Sequence, residues 1–315
     1  MPGAGLAPMY LRMKNLIAPF LPAPLRKRVA PDWTPRPVVA VVRLSGIIGP
    51  SQPLRGGLNL AGVAAALEAA FSMKNAKAVA LIVNSPGGSP VQSSLIYKRI
   101  RALAEEKSLP VYAFAEDVAA SGGYMIACAA DEIYADESSV VGSIGVVSAG
   151  FGFTGLIEKL GVERRVHTSG ESKAMLDPFQ PEKPEDVARL EALQEEVHEN
   201  FKALVRKARG DRLKTDDPAI FSGAFWAGAG ALERGLIDGL ADLRSHMRGL
   251  YGDKVKLRLV VQRAPWWRPG GGISSRLRPS FPAIGGGFAA EMGAGLADGL
   301  IAAAEKRSLW SRFGF

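Results

Sequence analysis

The stretch AVALIVNSPGGSPVQSSLIYKRIRALAEEKSLPVYAFA, residues 78–115, decides the fold class. Ala78 to Val83 is an unbroken apolar run of the kind found in strands buried on both faces. Asn84-Ser85-Pro86-Gly87-Gly88-Ser89 then interrupts it with turn-forming residues. Pro90 to Glu105 reads as a helix. Pro90 suits its first turn, where the N–H that proline lacks has no partner in any case. Leu109 to Ala115 is a further strand. A strand, a helix and a strand in succession make a βαβ unit, which sets two parallel strands in one sheet.

The pattern extends in both directions. Upstream, Val38 to Leu44 reads as a buried first strand. Leu60 to Met73 reads as a helix with Leu60, Val63, Ala64, Leu67 and Phe71 on one face. Downstream, a short helix is expected over Ser121 to Ala130 and a short strand over Glu132 to Ala135. Residues 138–157 carry no charge and read as buried strands and turns. A strand over Val162 to His167, a long charged helix over Lys183 to Arg209 and a helix over Ala224 to Arg234, stopped by Gly235, follow. Leu236 to Asp238 leads into another short helix, and Val255 to Val261 is the last strand. The class is α/β, with βαβ units around a largely parallel sheet.

Three regions differ in composition. Residues 1–37 are a basic, Pro-rich arm. Residues 38–262 form the compact domain. Residues 263–315 are a basic tail rich in Gly and Pro, in which Phe288, Met292, Leu296 and Leu300 recur every four residues. That spacing fits an amphipathic helix, weakened by Gly293, Gly295 and Gly299. The chain has 315 residues, enough for one substantial core. Its 47% apolar and 22% charged residues exclude a disordered chain. The single cysteine, Cys128, rules out an internal disulfide and argues against a thiolate zinc site. Three histidines, His167, His198 and His246, are too few for a histidine-rich metal centre.

The net charge of +8 is concentrated at the ends. Arg12, Lys14, Arg26, Lys27, Arg28 and Arg36 face only Asp32 in the N-terminal arm, and the tail is also basic, so the domain itself is close to neutral. Basic tails with interleaved apolar residues suit an anionic membrane surface, and they also serve simply as solvated, solubilising ends. With no basic face on the domain, no nucleic-acid partner is expected. Residues 9–24 are broken by Arg12, Lys14, Pro19 and Pro22, so no transmembrane helix or signal peptide is read there. The expected location is peripheral at a membrane, on its cytoplasmic face, through residues 9–28 and 288–313; a soluble cytoplasmic protein is the alternative.

Two residues carry the chemistry. Ser121 lies in Ala119-Ala120-Ser121-Gly122-Gly123-Tyr124, a small-residue turn that opens a helix, and Lys173 lies in the polar loop Ser169-Gly170-Glu171-Ser172-Lys173-Ala174. A serine hydroxyl needs a base to become a nucleophile. A neutral lysine can serve if its site lowers the ordinary value of about 10.4 by roughly 2–3 pH units. Acyl transfer also needs N–H donors aimed at the developing oxyanion. Gly87-Gly88, just past a strand, and the Gly122 N–H are candidates. Read locally, Ser121 is more often a helix N-cap and Lys173 a solvated loop lysine.

The motifs in order are VVRLSGIIG, LIVNSPGGSP, ASGGYMIACAAD, VGSIGVV, SGESKAML and FSGAFWAGAGALERGLIDGL. Over residues 38–262 the chain resembles the signal peptide peptidase A (protease IV) family of serine peptidases, in its short single-domain form. The resemblance implies a crotonase/Clp protease-like spiral of βαβ units, here with extended N- and C-terminal arms. It implies Ser121 as nucleophile, Lys173 as base, Gly88 as oxyanion donor with Gly122, and Ser143 as a hydrogen-bonding support for the lysine. It implies ring-like homo-oligomers whose sites are shared between subunits, apolar peptide substrates such as signal-peptide remnants, and no metal or organic cofactor. Tyr124, Met125 and Val146 are candidate liners of the substrate pocket. Many members begin with a transmembrane anchor, which this sequence does not show.

Four rival readings compete with this one. A Ser-His-Asp triad lacks the first glycine of G-x-S-x-G, and only His167 lies near Lys173 in sequence. Gly150-x-Gly152-x-x-Gly155 matches a dinucleotide fingerprint, but the helix after it is too short and Glu171 falls in a loop. A crotonase-type acyl-CoA enzyme would use Glu116 or Asp117, which read more simply as a hydrated loop. A non-catalytic, membrane-associated scaffold with a peptidase fold would not need Ser121 and Lys173 intact.

Overall fold

A computed structural model describes residues 36–50, 57–170, 172–214 and 218–261, with scattered positions nearer both ends, among them Trp310 and Phe313. The basic N-terminal arm and the amphipathic helix expected in the C-terminal tail lie almost wholly outside the described residues.

The elements are β1 (Val38–Ser45), α1 (Leu60–Phe71), β2 (Ala76–Ser85), α2 (Pro90–Lys107), β3 (Val111–Ala120) and α3 (Gly122–Ala127). Then follow β4 (Glu132–Ala135), β5 (Val140–Gly142), α4 (Thr154–Lys159), α5 (Pro184–Arg209) and β6 (Phe225–Ala227). The last are α6 (Gly228–Glu233), β7 (Gly239–Leu240), α7 (Leu243–Tyr251) and β8 (Lys256–Leu259). Capping fixes several starts: Asn59 accepts from the Gly62 N–H at α1, Ser89 from Gln92 at α2, and Asp242 from Arg244 and Ser245 at α7.

The strands run in the order β6-β5-β3-β2-β1-β8, with β4 also on β3 and β7 on β4. All pairs are parallel except β5 with β6. Alternation along β1 splits the core. Ala40, Val42 and Leu44 face the layer of α1, α2, α3 and the end of α5, while Val39 and Val41 face Met247 of α7. β3 forks: Tyr112–Ala115 pair with β4, and Val118–Ala120 pair with β5. The branch point falls within β3 at residues 116–117, and the strand's end, on the β5 side of it, leads into the site.

Three expectations need correction. Residues 162–167 form no strand; they are mostly exposed, and Arg165 pairs with Glu163 rather than with a neighbouring backbone. The helix expected from Ala224 begins only at Gly228, because Phe225–Ala227 is claimed by antiparallel pairing with β5. Burial in 138–157 is confined to Ser139 and residues 141–144, and residues 147–152 are exposed.

Nothing is buried among the described residues from 145 to 200. This arm holds α4 and the first half of α5, whose buried residues are only Phe201, Val205 and Arg209. It is held together by its own contacts: Phe153 against Phe179, Arg164 over the Phe179 ring, and Arg164 paired with Asp177.

Candidate active site

The site is built where β2 and β3 end. Beyond β2 the Ser85–Ser89 turn doubles back onto Ile48: the Ile48 N–H donates to the Gly87 carbonyl, and the Ser89 N–H donates to the Ile48 carbonyl. Ser85 Oγ donates to the Gly46 carbonyl and accepts from the Gly87 N–H. A Cβ on Gly88 would lie 2.1 Å from the Ile48 oxygen, so only glycine fits there. With a trans peptide and its carbonyl spent on Ile48, the Gly87–Gly88 unit turns the Gly88 N–H away from that ladder.

Beyond β3, Ser121 has φ 52° and ψ −123°, a backbone shape that non-glycine residues rarely adopt. It stands at the N-cap of α3, yet its side chain caps no N–H. The bland reading of this serine as a helix cap therefore fails, and the hydroxyl is left for other use. A sharp strand-to-helix turn that presents a serine in this way is the arrangement of a nucleophile elbow. Its backbone is pinned on both sides: the Ser121 N–H donates to the Gly142 carbonyl, and its carbonyl accepts from Met125.

The two turns meet. A Cβ on Gly87 would lie 2.7 Å from Ser121 Cβ, 3.0 Å from Ser121 Oγ and 3.0 Å from the Gly122 nitrogen. Gly122 is buried at the first position of α3, where backbone N–H groups have no partner within the helix. A Cβ there would strike Ser93 Oγ at 2.3 Å. Ser143, buried and at φ 54°, follows directly on the Gly142 that holds the Ser121 N–H, and its own N–H donates to the Ala224 carbonyl.

Lys173 lies elsewhere. It is exposed in the turn after Gly170, on the arm that buries nothing, and no contact joins it to Ser121 among the described residues. Ser121, Gly88, Gly122 and the Gly142–Ser143 loop are thus gathered within one chain, and Lys173 is not. Two proposed pocket liners are core residues instead. Tyr124 is fully buried and donates its hydroxyl to the Leu236 carbonyl, and Met125 is buried beside it in the main core. Val146 is half-buried at the root of the arm.

The rival constellations are dispersed. His167 is exposed, His198 Nε2 contacts the Ile144 carbonyl, and the His246 ring lies tilted against Tyr134, 3.9 Å between ring centres, on the far sheet face. His246 is thus not the surface residue its sequence neighbours suggest. Burial lowers its pKa. Gly150, Gly152 and Gly155 lie in open space with no strand before them. Glu116 and Asp117 are inside β3, not in a hydrated loop; Glu116 pairs with Arg43 and Asp117 accepts from Asn84. No cluster of metal-ligating side chains occurs among the described residues.

Behind α3, Arg209 is 1% exposed and forms a two-pronged pair with Asp238 at 2.8 and 3.0 Å, while its Nε donates to the Gly235 carbonyl. Burial pushes the Asp238 carboxyl up, but bonds from Arg209 and the Ile133 N–H outweigh it and hold the carboxyl below its usual range. Burial raises the Cys128 thiol to about 12, so it stays protonated.

Sequence reasoning underrated Gly87, which faces Ser121 more directly than Gly88 does, and missed Asn84, Ser93 and Ile48. Ser93 was legible in part: with Ile96 and Ile100 it falls on the buried face of α2, an odd place for a hydroxyl.

Residues 103–252 match peptidase family S49. A Synechocystis sp. chain with a provisional protease name is 34% identical over 223 residues, covering 68% of this chain and 79% of that one. The chain belongs to family S49. The serine protease SPPA of Arabidopsis chloroplasts is 34% identical over 219 residues, 66% of this chain and 31% of its own, in keeping with the signal peptide peptidase A branch. A Brucella abortus protein named Na(+)/H(+) antiporter NhaA is 53% identical over 278 residues. Those residues are 88% of this chain and 37% of the Brucella one, so the chain spans little more than a third of that relative's length. The forked, largely parallel sheet of βαβ units described above is the α/β fold of this S49 chain.

Proposed function

We propose that this S49 protein is a serine endopeptidase in which Ser121 is the nucleophile and Lys173 of a second copy is the base. The observation that carries the reading is the uncapped Ser121 hydroxyl at a strained turn packed against Gly87. Ser121 Oγ attacks the scissile carbonyl and passes its proton to a neutral lysine. The N–H groups of Gly88 and Gly122 stabilise the oxyanion. The lysine then protonates the leaving amine, and water cleaves the Ser121 ester. Ser143 holds the lysine by a hydrogen bond. No metal or organic cofactor takes part.

A shared site is supported by the arm that carries Lys173. It offers exposed apolar side chains, Val147, Phe151, Leu156 and Leu160, which a homo-oligomer would cover. The substrates are apolar peptides such as signal-peptide remnants. Work beside a membrane is supported by the basic ends and by the match within chains named as antiporters. The contact proposed is peripheral, through the basic ends; no helix among the described residues is long and apolar enough to cross a membrane.

The test is cleavage of an apolar, signal-peptide-like peptide by wild type and Ser121→Ala purified side by side. Loss of cleavage in a folded variant is expected. Equal cleavage by the two proteins would overturn the assignment of Ser121.

A further inference from the structure

β2 and β3 do not run in constant register. Val83 pairs with Ala115, but Ser85 pairs with Ala119. Two residues of β2 therefore span four of β3, and β3 carries a bulge at residues 116–118. At the same place its other edge changes partner, from Ala135 of β4 opposite Ala115 to Val140 of β5 opposite Val118. The bulge decides how far along the sheet Ala120 ends and hence where Ser121 emerges relative to Gly87.

One side chain spans it. Asn84, 9% exposed, donates from Nδ2 to Asp117 Oδ2 at 2.6 Å and accepts the Val118 N–H at Oδ1 at 3.3 Å. Its own carbonyl accepts the Gly46 N–H at 2.9 Å, which ties the same residue to the end of β1. Val118 is buried, and without Asn84 its N–H at the bulge would lose that partner. Asn84 also lies immediately before the Ser85–Gly88 turn that meets the nucleophile.

We infer that Asn84 is a positioning residue for Ser121, working through its two-pronged hold on Asp117 and Val118. The inference rests on the reading of Ser121 as nucleophile. A hydrocarbon or a second carboxylate at position 84 lets the bulge relax and moves Ser121 against the Gly87–Gly88 turn. A displacement of about 1 Å at a reacting atom costs on the order of 100-fold in rate. The two members of the pair are chemically exchangeable. Asn84→Asp combined with Asp117→Asn reverses donor and acceptor between the side chains and still leaves an oxygen at position 84 for the Val118 N–H. Asn84→Asp alone sets two carboxylates against each other.

The experiment measures the rate at which a small fluorophosphonate labels the protein, with the site read by peptide mass spectrometry, at a temperature where every variant is folded. Wild type, Asn84→Asp, Asp117→Asn, the double variant and Asp117→Ala are compared, with kcat and KM for an apolar peptide alongside. Asn84→Asp is expected to lose at least about tenfold in labelling rate and in kcat, with KM little changed. Asp117→Asn keeps an acceptor for Asn84 and stays within a few-fold of wild type. The double variant recovers most of the loss. Asp117 is exposed, so Asp117→Ala reports even if Asn84→Asp fails to fold; it is expected to lose several-fold. Label on Ser121 at the wild-type rate in Asn84→Asp, or no recovery in the double variant, overturns the positioning role. Wild type that carries its label elsewhere than Ser121 overturns the nucleophile assignment instead, so the two failures are distinguishable.

Discussion

Gly87 and Ser121 are packed so closely that a single methyl group on Gly87 would lie 2.7 Å from Ser121 Cβ. Gly87 also has φ +105°, which a side chain rarely tolerates. Gly87→Ala should therefore push the nucleophile off its site while the core strands stay in place. Peptide cleavage is expected to fall by at least about 100-fold with near-native circular dichroism. Activity within a few-fold of wild type would mean that this contact is not part of the site.

The Arg209–Asp238 pair joins the end of α5 to the segment that receives the Tyr124 hydroxyl. Asp238 is also held by Arg212 at 3.0 Å and keeps that cation when Arg209 is lost, whereas Asp238→Ala strands the buried Arg209 guanidinium and should cost about 3–5 kcal/mol in urea unfolding. Asp238 is held below its ordinary pKa, so its contribution is complete above roughly pH 4 and fades as the pH falls through the lower folded value. Wild type should lose stability in that acid range more steeply than Asp238→Asn does.

A second pH effect belongs to His246, held neutral among Tyr112, Phe114 and Tyr134, with Glu132 as the nearby acid. Its Nε2 is buried without a hydrogen-bond partner among the described residues. Because its folded pKa is lowered, its contribution is complete above about pH 6.5 and is lost as the pH drops below that value. His246→Phe should flatten the melting-temperature profile between pH 7 and 5. An unchanged slope would show that the ring does not titrate there.

Cys128 is 2% exposed and its thiol is raised to about 12. Native protein should resist a thiol-directed maleimide at pH 7 and react promptly in urea. Fast native labelling would mean that the α3 layer opens readily.

The sheet was legible because its strands are apolar runs bounded by Gly, Pro and Asn. Val38–Ser45, Ala76–Ser85 and Val111–Ala120 fall where the pattern puts them, though each runs past the expected end. Those extensions carry the site. Glu116 and Asp117 look like the start of a loop, yet β3 continues through them because Arg43 and Asn84 supply partners from neighbouring strands. Only the fold brings such partners together. Phe225–Ala227 has helical neighbours and becomes a strand because β5 offers it an edge. Read locally, the small-residue turn around Ser121 looks like a helix N-cap, and only the family resemblance made this serine a candidate nucleophile. The way Gly87 rather than Gly88 abuts it was not readable at all, since that depends on how Ile48 grips the turn.

The most direct test of the account is a mixing experiment. Ser121→Ala and Lys173→Ala are each expected to be inactive on an apolar peptide. Mixed one to one under conditions where subunits exchange, they should regain activity, because sites form from an intact serine on one copy and an intact lysine on the next. Random assembly would make about a quarter of such sites complete. Recovery towards that level, in protein shown by mass spectrometry to have exchanged, is the predicted result. No recovery in exchanged protein would contradict a dyad built from Ser121 and Lys173 of neighbouring copies.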